Sequence, residues 1–362
     1  MSKPRLRAAV LGATGVAGQQ FLVALHGHPQ FELTRLGASA RSAGRPYLEA
    51  IRDGGHTRWY CREPRPEEFA RLAVEDAADM SVDGIDVVFA AVESDAARVL
   101  EPRFAEKVPV FSTASAFRYE PDVPVLIPGV NPAHSALVDV QRRRRGWKGF
   151  IVPGPNCTTT GLAITLAPLA AAFGIERVLM TSMQSVSGGG RSPGVAALDI
   201  VDNVIPYIAK EEEKVEKEAR KILGSVAGDG IAPAAFGVSC TCTRVNVLDG
   251  HTEAVYVALG KPAAVADAAR VMREWAPLPA GRYFSAPPRL IEVHDDPYRP
   301  QPRLDRDAGE GMTTSVGRLR EESMLGGAGG VKYVLVSHNT RMGAAKGMTL
   351  CAEILLEEGR FG

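Results

Sequence analysis

Net charge is the first thing this chain lacks: 42 Lys and Arg face 42 Asp and Glu over 362 residues. That balance removes any bulk electrostatic pull toward nucleic acid or an anionic membrane. Cysteine is scarce too, five residues scattered at positions 61, 157, 240, 242 and 351. With no Cys-x-x-Cys pair and no His-x-x-x-His spacing, no metal site is expected. Cys240 and Cys242 are expected on opposite faces of a strand, unsuited to a mutual disulfide. Apolar runs such as Gly161 to Phe173 fall short of the ~20 residues a membrane-spanning helix needs. No cleavable apolar leader is expected ahead of the first strand-like stretch. A reduced, cytoplasmic protein with small-molecule partners and no nucleic-acid or membrane partner is the expectation. The run Arg142 to Arg145, without interleaved aromatics, reads as a solvated loop before a strand.

What is present is a globular composition, 45% hydrophobic and 23% charged, which excludes a largely disordered chain. At ~100–200 residues per domain the length predicts two domains. Strand-like runs alternate with helical periodicity through the first ~150 residues, the pattern of a parallel sheet flanked by helices. Leu6 to Leu11, Phe31 to Ala38, Asp86 to Ala91, Pro109 to Ser112 and Gly149 to Val152 read as its strands, and Val16 to His26 as its first helix. From about Cys157 the texture changes. Helices are predicted over Thr158 to Phe173 and Ala209 to Ile222, and strands over Arg177 to Val186, Val238 to Val247 and Thr252 to Leu259, an α+β unit on an antiparallel or mixed sheet. Ala286 to Arg306, rich in Pro, Arg and Asp, reads as a surface excursion. A strand, Lys332 to Ser337, and a helix, Met342 to Glu358, close the chain.

Gly12-Ala-Thr14-Gly15-Val16-Ala-Gly18 follows a strand and opens a helix. Glycines permit a sharp turn and close approach to a pyrophosphate, whose charge the free N–H groups of a helix start can bind. The next strand ends Leu36-Gly-Ala-Ser39-Ala-Arg41-Ser42. No acid stands there to accept bonds from ribose hydroxyls, whereas Ser39, Arg41 and Ser42 offer donors and a positive charge to a 2′-phosphate. NADP is therefore predicted over NAD.

In Gly154-Pro-Asn156-Cys157-Thr-Thr-Thr-Gly161 a cysteine sits where a helix begins. Unpaired N–H groups there favour a thiolate and predict a thiol more acidic than a free one. The same groups could stabilise an oxyanion on a carbonyl that the sulfur attacks. A candidate acid/base is His251, after the turn Asp249-Gly250 and seven residues beyond Arg244. His26, His28, His56, His134, His294 and His338 compete on spacing alone. Of these, His26 and His28 read as capping or surface residues, and His294 lies in the expected excursion.

Taken together, these motifs carry a resemblance to the aspartate-semialdehyde dehydrogenases of the archaeal and fungal branch. Further matching stretches are Ala38-Ser-Ala-Arg41-Ser-Ala-Gly44, Asp122-Val-Pro-Val-Leu-Ile-Pro128, Met183-Gln184, Ser187-Gly-Gly-Gly190, Ile205-Pro-Tyr-Ile208, Glu211-Glu-Glu-Lys214, Arg244 through Glu253 and Ser337-His-Asn339-Thr. The resemblance implies an α/β fold with a Rossmann-type doubly wound parallel sheet (residues 1–155), an α+β catalytic and dimerisation domain (156–335), and a C-terminal helix (336–362) returning to the first domain. It implies a homodimer or homotetramer.

The roles it implies follow residue by residue. Cys157 is the nucleophile and His251 the acid/base. Arg244 holds the substrate α-carboxylate, Glu211 meets the ammonium, and Lys214 and Arg118 line the phosphate subsite. Gln184 orients the acyl group, and Asn156 supports the cysteine and oxyanion region. Ser187, Gly188, Gly189 and Asn339 approach the nicotinamide, while Gly12, Thr14, Gly15, Val16 and Gly18 hold the pyrophosphate end. Without the family, Glu211 to Glu218 reads as an exposed Glu/Lys helix with i,i+4 pairs. The implied reaction reduces L-4-aspartyl phosphate to L-aspartate 4-semialdehyde through a cysteine thioester. Alternatives on the same scaffold are a malonyl-CoA or N-acetylglutamyl-phosphate reductase, and a non-catalytic NADP-binding redox sensor. The chain departs from the family at Ser112-Thr113-Ala-Ser115, where Asn is common at the second position. It departs again at Lys346, expected near cofactor phosphates or on the surface.

Overall fold

The computed structural model describes residues 4–189 and 197–361. Six strands form a wholly parallel sheet: Leu6–Leu11 (β1), Phe31–Ala38 (β2), Val74–Asp76 (β3), Val87–Ala90 (β4), Pro109–Ser112 (β5) and Phe150–Pro153 (β6). Their order is β3-β2-β1-β4-β5-β6. Every residue of β4, β5 and β6 is buried, as helices on both faces of a parallel sheet require. Val16–Leu25 (α1) supplies Phe21, Leu22 and Leu25 to one core, and Ser94–Ala105 (α2) supplies Ala97, Phe104 and Ala105 to the other. Strand order reverses between β1 and β4, and a crevice opens there at the carboxyl ends of the strands.

A third helix, Leu137–Arg145 (α3), ends in the arginine run. The expected solvated loop is thus a final helical turn, where cations suit the dipole. Arg142 pairs with Asp139, Arg143 and Arg144 with Asp229, and Arg145 with Asp122.

The second sheet is mixed. Ile175–Gln184 (β7), Val204–Ile205 (β8), Gly237–Val245 (β9), His251–Leu259 (β10), Ile291–Val293 (β11), Thr314–Glu321 (β12) and Gly329–Ser337 (β13) lie in the order β8-β9-β7-β10-β13-β12-β11. Cys157–Phe173 (α4), Glu211–Ile222 (α5) and Val265–Arg273 (α6) cover one face. Helix α4 is buried from Thr158 through Leu169, as a helix apolar on all sides must be. Among the described residues the other face is open. Along β10, Val255 and Val257 point into the core while Tyr256 is exposed opposite exposed Leu179. The last helix, Ala345–Glu357 (α7), crosses back to the first sheet, where Met348, Cys351 and Leu355 join the core of Phe21 and Leu25. Among the described residues no helix is long and apolar enough to cross a membrane.

Three local expectations fail. The stretch from Ala286 to Arg306 is not simply a surface excursion, because Leu290 and Ile291 are buried and β11 pairs in parallel with β12 at the sheet edge. His294, in that stretch, is correspondingly mostly buried, with Nε2 3.5 Å from Asp305. Cys240 and Cys242 share one face of β9, since residues two apart on a strand point the same way. Cys240 Sγ lies 3.5 Å from the Glu212 carbonyl, and Cys242 N–H donates to the Glu212 carboxylate at 3.0 Å, both on α5; both thiols are free. His28 is not a surface residue. It is wholly buried, its Nδ1 accepting from the N–H groups of Gln30 and Phe31 and its Nε2 facing Glu353 at 3.1 Å.

Candidate active site

The crevice begins at Gly12, which turns at φ +78° where a Cβ would lie 2.2 Å from the carbonyl oxygen of Ala91. Only glycine lets β1 pass this close to the chain leaving β4. Gly15 caps α1 without a side-chain bond, so the first N–H groups of the helix face the cleft uncommitted. Thr14, Val16, Ser39, Arg41 and Ser42 line the same end. Gly18 does not. It lies inside α1, where a Cβ would meet the Gly12 carbonyl oxygen at 2.1 Å, so it serves the packing of helix on turn. Sequence reading missed Arg45, Arg58 and Asp76, which also line the cleft. The Arg45 guanidinium donates to the Arg41 carbonyl at 2.7 Å, and Arg58 pairs with Asp53.

The cleft runs on as one volume of about 2050 Å³ to Asn156, Cys157, Ser187, Gly188, Gly189, Glu211, Lys214, Arg244, Arg118 and Asn339. A single small-ligand pocket is typically about 300–1,000 Å³, so this one has room for a dinucleotide and a second molecule. Gly190 lies outside the described residues.

Local sequence puts Cys157 at the head of α4. Pro153 ends β6, and the Asn156 side chain accepts from the N–H groups of Thr158 and Thr159 at 2.9 and 3.3 Å, an N-cap that starts the helix one residue after itself. The half-buried sulfur lies 3.1 Å from Nε2 of His251, the first residue of β10 and fully buried. On the far side of the ring, Nδ1 accepts the backbone N–H of Ser185 at 3.1 Å, with Ser185 Oγ at 3.2 Å. A backbone N–H can only donate, so the neutral imidazole carries its proton on Nε2, facing the sulfur. Asn339 clasps this corner. Its Oδ1 accepts from Gly250 N–H at 3.0 Å and from Ser185 Oγ at 3.1 Å, and its Nδ2 donates to Ser187 Oγ at 2.9 Å.

Electrostatics correct one expectation. Burial pushes the Cys157 thiol up to about 12, with Glu211 adding to the rise. Arg244, Arg118 and the Thr158 N–H pull it down by less. The helix start favours a thiolate, but desolvation outweighs it in the free protein. His251 is pushed down to about 3 by burial first and then by Arg244 and His338, so it is neutral at physiological pH.

Around this pair, α5 turns out to be half buried. Glu211, Val215, Glu218, Ala219 and Ile222 face inward, so the Glu/Lys sequence hides two carboxylates rather than forming an exposed face. Glu211 Oε1 accepts from Asn156 Nδ2 at 2.8 Å, and Lys214 Nζ stands 3.5 Å from Glu211 Oε2. Arg244 Nη1 donates to the Ser185 carbonyl at 2.8 Å. Arg118 donates to Glu218 at 3.1 Å and to the Thr113 carbonyl at 2.9 Å; the latter bond uses the backbone, so a threonine at that position serves. Gln184 is the exception. It is buried with its amide turned to Ser182 Oγ at 3.2 Å and does not line the cleft, because it occupies the inner face of β7. Lys346 pairs with Glu310 at 2.5 Å, away from the cleft. Ser185 and Glu218 carried no separate signal in the sequence.

Two family models match the chain: the NAD binding domain of semialdehyde dehydrogenase over residues 7–138 and its dimerisation domain over residues 166–342. Among curated proteins, it is 46% identical over 349 residues to aspartate-semialdehyde dehydrogenase of Methanothermobacter thermautotrophicus, covering 96% of this chain and 98% of that one. It is 40% identical to the Saccharomyces cerevisiae enzyme of that name, over 96% of this chain and 97% of that one. Among solved structures it resembles aspartate semialdehyde dehydrogenase with NADP from Candida albicans, with TM-score 0.85 and 39% identity over 98% of this chain and 99% of that one. A Vibrio cholerae aspartate semialdehyde dehydrogenase II complexed with ASA matches with TM-score 0.77 at 26% identity, over 98% and 99% of the two chains.

Proposed function

The chain belongs to the semialdehyde dehydrogenase family, and from that premise we propose that Cys157 and His251 carry its chemistry. The reaction is the NADP-dependent reductive dephosphorylation of L-4-aspartyl phosphate to L-aspartate 4-semialdehyde, and its reverse, in the aspartate pathway of amino-acid biosynthesis. The observation that carries the reading is the 3.1 Å contact between Cys157 Sγ and His251 Nε2 in a cleft continuous with the glycine turn.

Cys157 attacks the acyl carbon. A C–S bond forms while the C–O bond to phosphate breaks, the thiol proton leaves with the phosphate, and a thioester is left on the protein. Because sulfur donates resonance poorly, a thioester carbonyl accepts hydride more readily than a carboxylate, so one hard reduction becomes two manageable steps. NADPH, when bound, supplies that hydride. His251 donates an Nε2–H hydrogen bond to the sulfur as the C–S bond breaks and the aldehyde departs, so the sulfur leaves as a stabilised thiolate that then takes a proton from water. The raised thiol is not an obstacle to the first step. Arg244, Arg118 and the Thr158 N–H already favour the anion, and a substrate ammonium beside Glu211 would cancel the charge that opposes it.

Arg244 suits the substrate α-carboxylate, since a guanidinium offers two parallel donors. Glu211 receives the ammonium, and Lys214 and Arg118 receive the phosphate. Gly12, Thr14, Gly15 and Val16 hold the pyrophosphate, Ser39, Arg41 and Ser42 the 2′-phosphate. Ser187, Gly188, Gly189 and Asn339 border the nicotinamide. The crowding at Gly12 supports the fit, because any side chain there would strike the Ala91 carbonyl and push the turn out of place.

The two separate sheets and the return of α7 to the first core support domain boundaries at 1–155, 156–335 and 336–362. The open face of the second sheet, with Leu179 against Tyr256, supports a homodimer; pairing of two dimers into a tetramer is a further step. Five free cysteines support the cytoplasm.

The test is to incubate the protein with aspartate semialdehyde, phosphate and NADP, with malonyl-CoA plus NADPH run beside it, and to weigh the protein after a rapid acid quench. An acyl adduct on Cys157 and phosphate-dependent NADPH formation are expected, both lost in Cys157→Ala with NADPH binding kept within a few-fold. Turnover by Cys157→Ala would discard the covalent mechanism.

A further inference from the structure

Glu218 sits seven residues beyond Glu211 on the same buried face of α5 and is 1% exposed. Its Oε1 accepts from Arg118 Nη1 at 3.1 Å and from the Tyr119 hydroxyl at 3.1 Å, and its Oε2 accepts the backbone N–H of Asn156 at 2.6 Å. One carboxylate therefore grips the arginine proposed for the phosphate and the residue whose side chain caps α4 immediately before Cys157. One turn on, Lys221 Nζ donates to the carbonyls of Arg118, Glu120 and Val123 at 2.8, 2.9 and 2.9 Å, anchoring the arginine's own backbone to the same helix. Arg118 Nη1 and Nη2 are each engaged once, by Glu218 and by the Thr113 carbonyl. Each of these nitrogens carries a second hydrogen, so an arginine fixed in this way still has donors for a further acceptor.

We propose that Glu218 is a positioning residue that fixes Arg118 and the start of α4 in one geometry, so that the leaving phosphate is held in line with the sulfur that displaces it. This rests on the reading of Arg118 as a phosphate ligand. Charge supports the arrangement. A buried carboxylate beside Arg118 lets the guanidinium stay in the wall of the cleft without a bound anion, and both oxygens are fully used. An amide in place of the carboxylate would turn an NH2 group toward either the guanidinium or the Asn156 N–H, and both are donors.

The experiment measures initial rates of semialdehyde oxidation for wild type, Glu218→Gln, Glu218→Asp and Arg118→Ala, varying phosphate, semialdehyde and NADP in turn. Glu218→Gln is expected to raise KM for phosphate about tenfold or more and to lower kcat, with KM for NADP held within about twofold. Glu218→Asp keeps the charge but retracts it by one methylene, and is expected to show the same split to a smaller extent. Should the glutamine variant fail to fold, the aspartate variant decides alone. A general loss of stability would disturb all three substrates together rather than phosphate selectively. If Arg118→Ala raises KM for phosphate while the Glu218 variants leave it unchanged, the positioning role is overturned and the phosphate site stands. If Arg118→Ala leaves it unchanged as well, the phosphate site itself is misplaced and the inference falls with it.

Discussion

His251 presents Nε2 rather than Nδ1 to the sulfur of Cys157, because Nδ1 already accepts the backbone N–H of Ser185 at 3.1 Å. The arrangement fixes the chemistry open to the ring. Adding a proton at Nδ1 would set it against an N–H that cannot turn away, and burial with Arg244 nearby opposes a second positive charge. In the free protein His251 is thus a hydrogen-bond donor to sulfur, placed to stabilise the thiolate as it leaves, rather than a base waiting for the thiol proton.

Replacing His251 by Ala should lower kcat by ~10²–10³, the usual cost of removing one donor aimed at developing negative charge, with little change in cofactor affinity. The tautomer is open to direct observation. Nitrogen spectra of 15N-histidine-labelled protein, assigned by loss of one signal set in His251→Gln, should show His251 neutral with its proton on Nε2 at neutral pH. A protonated Nδ1 would refute the assignment, and an unchanged kcat would mean that another group stabilises the departing sulfur.

The parts of this site that sequence reveals are those encoded by neighbours along the chain. Gly12 to Gly18 follows a buried strand and opens a helix, and Asn156-Cys157 stands at the join of strand and helix, so both turns are legible locally. The partners that orient them are not. Arg118 and Glu218 are 100 residues apart, His28 and Glu353 are 325 apart, and nothing local in either sequence announces the other. Buried carboxylates on α5 were hidden because a Glu/Lys composition is also what a solvated helix shows. The acidity of Cys157 was misjudged for a related reason: the helix start is visible in sequence, whereas the desolvation that outweighs it exists only once β10 and α5 close over the sulfur.

Arg41 governs the choice of cofactor if the rim of the cleft works as proposed. The tip of β2 carries no acid, and Ser39 and Arg41 stand exposed there. One carboxylate on the rim, Asp76 at the end of β3, accepts from the N–H of Ala78 at 3.0 Å and is partly committed. Arg41→Ala should raise KM for NADP while leaving KM for NAD nearly unchanged, narrowing the ratio of kcat/KM between the two. A wild-type protein that already prefers NAD would contradict the assignment of the 2′-phosphate to this rim.

Two buried groups give stability a pH dependence of opposite sign, and isosteric variants separate them. His338 is pushed down to about 3 by burial, Arg341 and Arg62. Between the unfolded histidine value, about 6.5, and that lower value, the unfolded chain binds a proton that the folded chain refuses. Stability is therefore lost as pH falls below about 6.5, and His338→Gln should remove that loss. Glu101 behaves in reverse. Burial pushes its carboxyl up to about 8 against the pull of the Ser112 hydroxyl and Arg118, so above its unfolded value of 4.5 the folded chain keeps a proton that the unfolded chain releases. Stability is lost as pH rises from about 4.5 to 8, at up to about 1.4 kcal/mol per pH unit. Glu101→Gln carries no proton to release and should be free of this slope. Urea unfolding of the three proteins at several pH values reads the differences directly. The wild-type stability minus that of Glu101→Gln should decline with rising pH, and the wild-type stability minus that of His338→Gln should decline with falling pH. Parallel curves for wild type and either variant would show that the group in question meets water, or a compensating charge, in the folded protein.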